Sequence, residues 1–211
     1  MRLSTQCQDA QDQQAIAFEI DAEAEQLGRW VVSYLENQIR NGTRFLPGQT
    51  VEIGWMLLLL QQREFGLELM EPNFKVMPIS WCCGLNRTIK HIYVQRAVCT
   101  LFECQPHFPS IRHAAITSPG FYTSLNYSMF RGEPVDSNSG WVLSDNDYLE
   151  DEGDYCSLYE IALRRLEVVP FLSLPSSSLV LVTPDYIEVT ANGIKKSSTD
   201  YSLLSAVRRV D

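Results

Sequence analysis

The apolar residues of this chain occur in short runs, and the spacing within these runs changes repeatedly between that of a helix and that of a strand. Helical spacing is found from Leu27 to Leu35, and strand-like alternation from Val51 to Trp55. The longest apolar run, Trp55 to Leu60, is far shorter than the ~20 residues that cross a bilayer. Because 45% of the 211 residues are hydrophobic, the chain can bury a sizeable core. These patterns predict an α+β fold in two sub-domains, with mixed or antiparallel sheets and packed helices.

The first half of the chain is predicted to hold a leader, a helix and a strand hairpin. Residues 1–20 are expected to be a flexible leader, because the first fifteen are rich in Gln and Asp. A helix is predicted over Ala22–Arg40, where acidic residues lie in the first turn and an Asn-Gly pair follows the last. The strand that ends at Leu60 is expected to pair with Glu64–Met70.

Two more elements complete an N-terminal α+β region predicted over residues 21–105. Val76–Trp81 suits a third strand. Asn86 is expected to cap a helix that ends near Glu103 and buries a stripe containing Tyr93. The tryptophans of this region are expected in its core; they are Trp30, Trp55 and Trp81.

The second half is predicted to be a separate α+β domain over residues 106–211. Its expected strands are Ile111–Ser118, Tyr127–Arg131, Gly140–Leu143, Leu179–Val182 and Tyr186–Val189, with a turn at Ala191-Asn192-Gly193. Ser157 and Glu160 have the spacing of a capping box at the start of a helix that Pro170 should stop. Ser202–Arg209 is expected to form a short C-terminal helix.

The net charge of −9 is concentrated in one part of the second half. Between Gly132 and Leu163 there are nine acidic residues and no Lys or Arg, whereas the rest of the chain has seventeen of each sign. The nine are Glu133, Asp136, Asp145, Asp147, Glu150, Asp151, Glu152, Asp154 and Glu160. We call Asp145 to Asp154 the acidic segment. A charge concentrated in one segment attracts positively charged partners, so the acidic segment is a candidate contact surface. Trp141, a residue type favoured both at interfaces and in cores, fits either role.

Several short blocks of the second half occur in the order found in a known domain family. They are Asp136, Ser139-Gly140-Trp141, Asp145, Asp147-Tyr148, Ser157 to Ala162, Val169 to Leu172, and Pro175. In this order they resemble the immunity protein 33 domain of bacterial toxin-immunity systems, over roughly Ile111 to Val182. Two positions depart from the family. Ser137-Asn138 separate Asp136 from Ser-Gly-Trp, and Ser177 stands where the family has glycine, so the close backbone approach that glycine permits is not expected there.

The resemblance implies an antitoxin-like binding protein of bacterial competition and not an enzyme. Its partner would be a cognate toxin or effector, and the acidic segment predicts that this toxin has a basic surface. No nucleic acid, membrane, cofactor or metal is expected to bind, no residue is expected to be catalytic, and the oligomeric state is left open. The expected contact residues are Asp136, Trp141, Asp145, Asp147, Tyr148, Glu150, Asp151, Glu152 and Asp154.

The search for catalytic motifs is negative. The chain has no Gly-rich phosphate loop, no Gly-x-Ser-x-Gly elbow and no His-Glu-x-x-His helix. The acidic segment lacks calcium-loop spacing, because its sixth position is not glycine and its twelfth is Cys156. Cys82 and Cys83 are adjacent, unlike a zinc-binding pair. The first residues lack an apolar signal segment, so a cytoplasmic location with reduced cysteines is expected.

Two other functions also fit the sequence. One is a metal-dependent hydrolase that combines carboxylates of the acidic segment with His107 or His113. The other is a non-catalytic regulatory binding module that shares the domain. Elemental analysis separates the first from an antitoxin, and the neighbouring genes separate the second.

Overall fold

The computed structural model describes residues 1–6, 13–145 and 153–207. The chain divides into two compact units, Met1–Lys90 and His91–Asp211. Each unit contains a mixed β-sheet and helical segments, which confirms the predicted α+β class. The boundary at residues 105 and 106 stays a prediction, because a division of contacts does not show which segments fold independently.

The first unit is built on a six-stranded sheet. Its strands are β1 (Arg2–Ser4), β2 (Ile16–Glu19), β3 (Thr50–Ile53), β4 (Met56–Arg63), β5 (Gly66–Pro72) and β6 (Trp81–Cys83). They lie in the order β1-β2-β5-β4-β3, with β6 also paired to β5, and only β2 and β5 run parallel. Ile16 and Phe18 are fully buried. The predicted flexible leader is therefore wrong for the described part of residues 1–20, because the apolar run in β2 supplies core surface that the Gln-rich residues lack.

Gly54 divides the strand that the sequence predicts up to Leu60. Its φ is +62°, so the chain turns at Gly54-Trp55 and forms two paired strands, β3 and β4, in place of one. The predicted hairpin of β4 with β5 is confirmed. The third strand is Trp81–Cys83, later than expected, and Trp81 is only half-buried whereas Trp55 is fully buried.

Helix α1 (Glu25–Arg40) follows a 3₁₀ turn at Ala22–Ala24, which confirms the predicted helix. Its buried line consists of Gly28, Val31, Leu35 and Ile39. Trp30 lies beside that line, 37% exposed, with its ring stacked 6.2 Å from that of Tyr34. The core role predicted for Trp30 is therefore wrong, because the buried face of the helix is centred on Val31 and Leu35.

Helix α2 (Asn86–Leu101) confirms the predicted helix but not its details. The Glu71 carboxylate accepts hydrogen bonds from the backbone N–H groups of Thr88, at 2.7 Å, and Arg87, at 3.3 Å. Glu71 thus serves the helix start, while the Asn86 side chain accepts from Asp21. Burial raises the pKa of Glu71. Tyr93, expected in the buried stripe, is exposed.

The second unit is built on a seven-stranded sheet. Its strands are β7 (Ala114–Thr117), β8 (Tyr127–Arg131), β9 (Asn138–Asp145), β10 (Asp154–Ser157), β11 (Leu179–Thr183), β12 (Tyr186–Ala191) and β13 (Ile194–Ser197). They lie in the order β10-β7-β9-β8-β11-β12-β13. Only β7 and β9 run parallel. The predicted strands are all present, and the predicted turn is confirmed by positive φ at Asn192 and Gly193.

Helical segments bury one face of this unit. They are α3 (Leu158–Arg164), a 3₁₀ helix at Leu166–Phe171 and α4 (Tyr201–Val207). The Ser157 hydroxyl accepts from the Glu160 N–H at 3.1 Å, which confirms the predicted cap. The prediction that Pro170 stops α3 is wrong. Pro170 lies inside the 3₁₀ helix that follows, where it is buried.

Candidate functional site

The acidic segment starts and ends at one end of the seven-stranded sheet. Asp145 is the last residue of β9 and Asp154 the first of β10, and β7 lies between these strands. Thr117 of β7 pairs with Leu143 on one side and with Asp154 on the other. The predicted contact residues between these ends lie outside the described residues; they are Asp147, Tyr148, Glu150, Asp151 and Glu152.

Asp145 is held in place by the residues that follow β7. The Asp145 carboxylate accepts a hydrogen bond from the Ser118 hydroxyl at 3.0 Å, and the Asp145 N–H donates to the oxygen of that hydroxyl at 3.1 Å. A Cβ atom at Gly120 would overlap the carboxylate where it now lies, so a larger residue there would displace the Asp145 side chain. Asp154, in contrast, is exposed. Asp145 thus anchors the acidic segment, whereas Asp154 can meet a partner.

Asp136 lies at the opposite end of β9 from Asp145. It forms a two-residue loop with Ser137, closed by hydrogen bonds of 3.1 and 2.8 Å between the backbones of Val135 and Asn138. β9 runs for eight residues from Asn138 to Asp145, so its ends are roughly 23 Å apart. Asp136 is exposed, but among the described contact residues the structure does not bring it together with Asp145 or Asp154.

Trp141 is a core residue. Its exposure is 0%, and its indole N–H donates to the Leu172 carbonyl at 3.0 Å. The Arg131 guanidinium lies 5.6 Å from the centre of its ring. Trp141 has no surface to offer a partner, so we correct its assignment from contact residue to core residue. The sequence allowed both roles because tryptophan is common in both settings.

The whole Ser-Gly-Trp block is structural. Ala114 pairs with Asn138 whereas Ile116 pairs with Val142, so the block lies in a bulge of β9. The Ser139 hydroxyl donates to the Ala114 carbonyl at 2.7 Å and so holds the bulge to β7. Gly140 has a φ of +79°, and a Cβ atom there would overlap the Gly132 carbonyl. Ser139 thus holds the bulge to β7, Gly140 allows its backbone conformation, and Trp141 fills the core beside it.

Arg131 joins this block to the block Val169 to Leu172. Its exposure is 3%, and its guanidinium donates to the carbonyls of Ser139 (3.3 Å), His107 (2.9 Å), Leu172 (3.2 Å) and Leu174. Burial lowers its pKa to about 10. The sequence analysis did not single out Arg131. The available signal was its place in β8, at the spacing of the inward-facing Tyr127 and Met129.

Ser177 adopts the backbone conformation that glycine favours. Its φ is +66°, and its N–H donates to the Arg131 carbonyl at 2.6 Å. The expectation that a close backbone approach is absent here is therefore wrong. Serine reaches the same conformation, at a cost in strain that a glycine avoids.

The histidines and cysteines form no reactive cluster in the described ranges. Across residues 1–6, 13–145 and 153–207, no three His, Cys, Asp or Glu side chains are grouped closely enough to hold a metal ion. Burial raises the pKa of the Cys82, Cys99 and Cys104 thiols, which disfavours the reactive thiolate. The His107 carbonyl accepts from Arg131, and the His113 carbonyl accepts from the Leu158 N–H at 2.9 Å, so both backbones serve the scaffold.

The helices carry no membrane signal. No helix in the described part of the chain is both long and apolar enough to span a membrane.

Comparison with known proteins identifies one domain. No curated protein and no solved structure matches the chain significantly. The family model of the Imm33-like domain matches residues 94–192, just under half of the chain. This range includes every block of the resemblance, Arg131 and the acidic segment, and it extends beyond Ile111 to Val182 on both sides. Residues 94–192 are therefore similar to the Imm33-like domain, which is consistent with an immunity protein 33-like family.

Proposed function

We propose that this protein is a cytoplasmic immunity protein that binds a cognate bacterial toxin through the acidic segment and so neutralises it, without making or breaking a bond. The observation that carries the proposal is the position of the acidic segment inside the Imm33-like domain, between Asp145 and Asp154. The proposed contacts are Asp147, Tyr148, Glu150, Asp151, Glu152 and Asp154. Asp145 acts as the anchor of the segment, and Asp136 and Trp141 are left out.

The strands that flank the acidic segment carry no basic residue that could balance its charge. None of β7, β9 and β10 contains Lys or Arg. Mutual repulsion of the acids costs stability, and a basic partner surface would relieve it. Opposite charges also raise the association rate, from about 10⁵–10⁶ to as much as about 10⁸–10⁹ M⁻¹s⁻¹ at low salt.

The same charge favours a protein partner over nucleic acid, because phosphates would be repelled. If the toxin acts on nucleic acid, its basic groove is a natural target, and the carboxylates of the acidic segment would take the places of phosphates. The toxin would then be blocked at its own substrate path.

Co-expression tests the function. The gene encoded beside this protein is induced in a sensitive host with and without the present chain. We expect survival only when the chain is present. Death in both cases would refute neutralisation, and survival without the chain would show that the neighbour is not a toxin.

Association kinetics test the role of the acidic segment. The variant D147N/E150Q/D151N/E152Q/D154N removes five negative charges, and we expect its association rate at low salt to fall at least tenfold. The control E19Q/D21N/E23Q/E64Q/D185N removes five charges at exposed positions elsewhere. Equal rates for the two variants would show that net charge matters and the acidic segment does not.

A further inference from the structure

The outward face of the seven-stranded sheet carries a continuous row of apolar side chains. Successive register pairs join residues on five neighbouring strands, in the order Tyr155, Ile116, Val142, Phe130 and Leu179. We call these five residues the apolar row. With strands about 4.8 Å apart, four spacings make the row about 19 Å long.

The apolar row is open to solvent. Tyr155 is 71% exposed, Phe130 48% and Leu179 36%, and the other two side chains are half-buried. A sheet face exposed to water normally carries polar side chains. The neighbouring row follows this rule, since Ser128 and Ser144 point outward and their hydroxyls lie 3.0 Å apart. The apolar row therefore departs from what folding alone requires.

The two ends of the row differ in charge. At one end, Tyr155 directly follows the exposed Asp154 of the acidic segment. At the other end, the register continues from Leu179 to Thr190 and then Lys195, which is paired with Glu188 at 2.8 Å. The row is thus bordered by the exposed carboxylate of Asp154 on one side and by a neutral ion pair on the other.

We propose that the apolar row is the surface that the toxin buries, with the exposed Asp154 at its charged rim. This inference rests on the proposed function and names the partner surface: an apolar centre beside a cluster of Lys or Arg. Stable interfaces have this anatomy, with an apolar centre and a polar rim, and they bury about 800 Å² on each partner. A row about 19 Å long fits the centre of such a patch.

A second copy of this chain is a poorer occupant. Each copy carries a net charge of −9, so two copies repel each other. A basic toxin instead neutralises the rim while its apolar side chains cover Phe130 and Leu179. The two surfaces then have different kinetic roles. The acidic segment speeds association, and the apolar row slows dissociation.

Toxin binding by the variant F130T/L179T tests the inference. Threonine is suited to strands, so the sheet should be retained. We expect dissociation at least about 30-fold faster, as for the loss of interface hot spots, with the association rate within about twofold of wild type. The control F65T/L125T removes two side chains that are at least as exposed but lie outside the row, and it should bind like wild type.

Four results would overturn the inference. If the row variant binds as tightly as the control while the five-charge variant still associates slowly, the acidic segment acts alone and the proposed function survives. A marked drop in melting temperature for F130T/L179T would show that the row packs within the chain. A wild-type dimer in sedimentation that this variant dissociates would assign the row to self-association. If the wild-type chain binds no toxin at all, the proposed function fails together with the inference.

Discussion

The two faces of the seven-stranded sheet present opposite chemistry. The inward face holds Trp141 and Arg131, whose side chains converge on the Leu172 carbonyl, so two blocks of the family resemblance, Ser139-Gly140-Trp141 and Val169 to Leu172, meet there. The outward face holds the apolar row, whose side chains remain in contact with water. These two blocks therefore build the scaffold of the domain. None of the five residues of the apolar row belongs to a block of the resemblance.

The largest expected effect comes from Arg131, the centre of the inward face. Replacement by Met removes four hydrogen bonds to buried carbonyls, and we expect a loss of about 4 kcal/mol in the free energy of unfolding. Urea denaturation measures it. Arg112, which is exposed, serves as the control, and R112M should change stability by less than about 0.5 kcal/mol. Similar values for both variants would remove Arg131 from the scaffold.

Neighbouring residues of β8 compare the faces directly. Met129 is fully buried and Phe130 points outward. M129T should cost about 3 kcal/mol because it leaves a cavity and buries a hydroxyl, whereas F130T should cost less than about 0.5 kcal/mol. The same denaturation experiment gives both values. A large loss for F130T would mean that the outward face is also core.

Gly140 is expected to be less tolerant than a glycine with the same backbone conformation in open space. G140A combines a positive φ with an overlap against the Gly132 carbonyl, so it should cost about 2.5 kcal/mol. Gly193 has a φ of +75° and no atoms within 4 Å of an added Cβ. G193A should therefore cost only about 1 kcal/mol, which is the strain alone. Equal costs would contradict the close approach of β9 to Gly132.

The smallest effect on the inward face is expected for Trp141→Phe. It removes the hydrogen bond to Leu172 and some volume, but Arg131 still donates to that carbonyl, so about 2 kcal/mol should be lost. W30F, on the exposed side of α1, should cost less than about 0.5 kcal/mol. Folded W141F should bind the toxin with wild-type affinity, and weaker binding would return Trp141 to the interface.

Local signals in the sequence predict much of the fold. The strand at Tyr127–Arg131, the helix that ends at Arg40 and the turn at Asn192-Gly193 all follow from spacing and turn chemistry. The errors arise where one residue changes the local geometry. Gly54 splits a strand, and the 3₁₀ helix accommodates Pro170.

The candidate site is less accessible to such reasoning. The apolar row depends on the register of five strands, and Tyr155 is distant in sequence from its partner Ile116. A single sequence contains no pairing information of this kind. The sequence of β9 also does not show which of its two faces is buried. Apolar residues occur on both faces, with Trp141 on one and Val142 on the other.

The anchoring of the acidic segment also has a consequence for how partners can change. The strands at both of its ends pair with β7, and the Ser118 hydroxyl holds Asp145 from outside residues 146–152. Substitutions within those seven positions change no residue that pairs with β7. If the acidic segment is the toxin contact, as proposed, we expect a new sequence between Asp145 and Gly153 to retarget the protein while the pairing of β7 is kept.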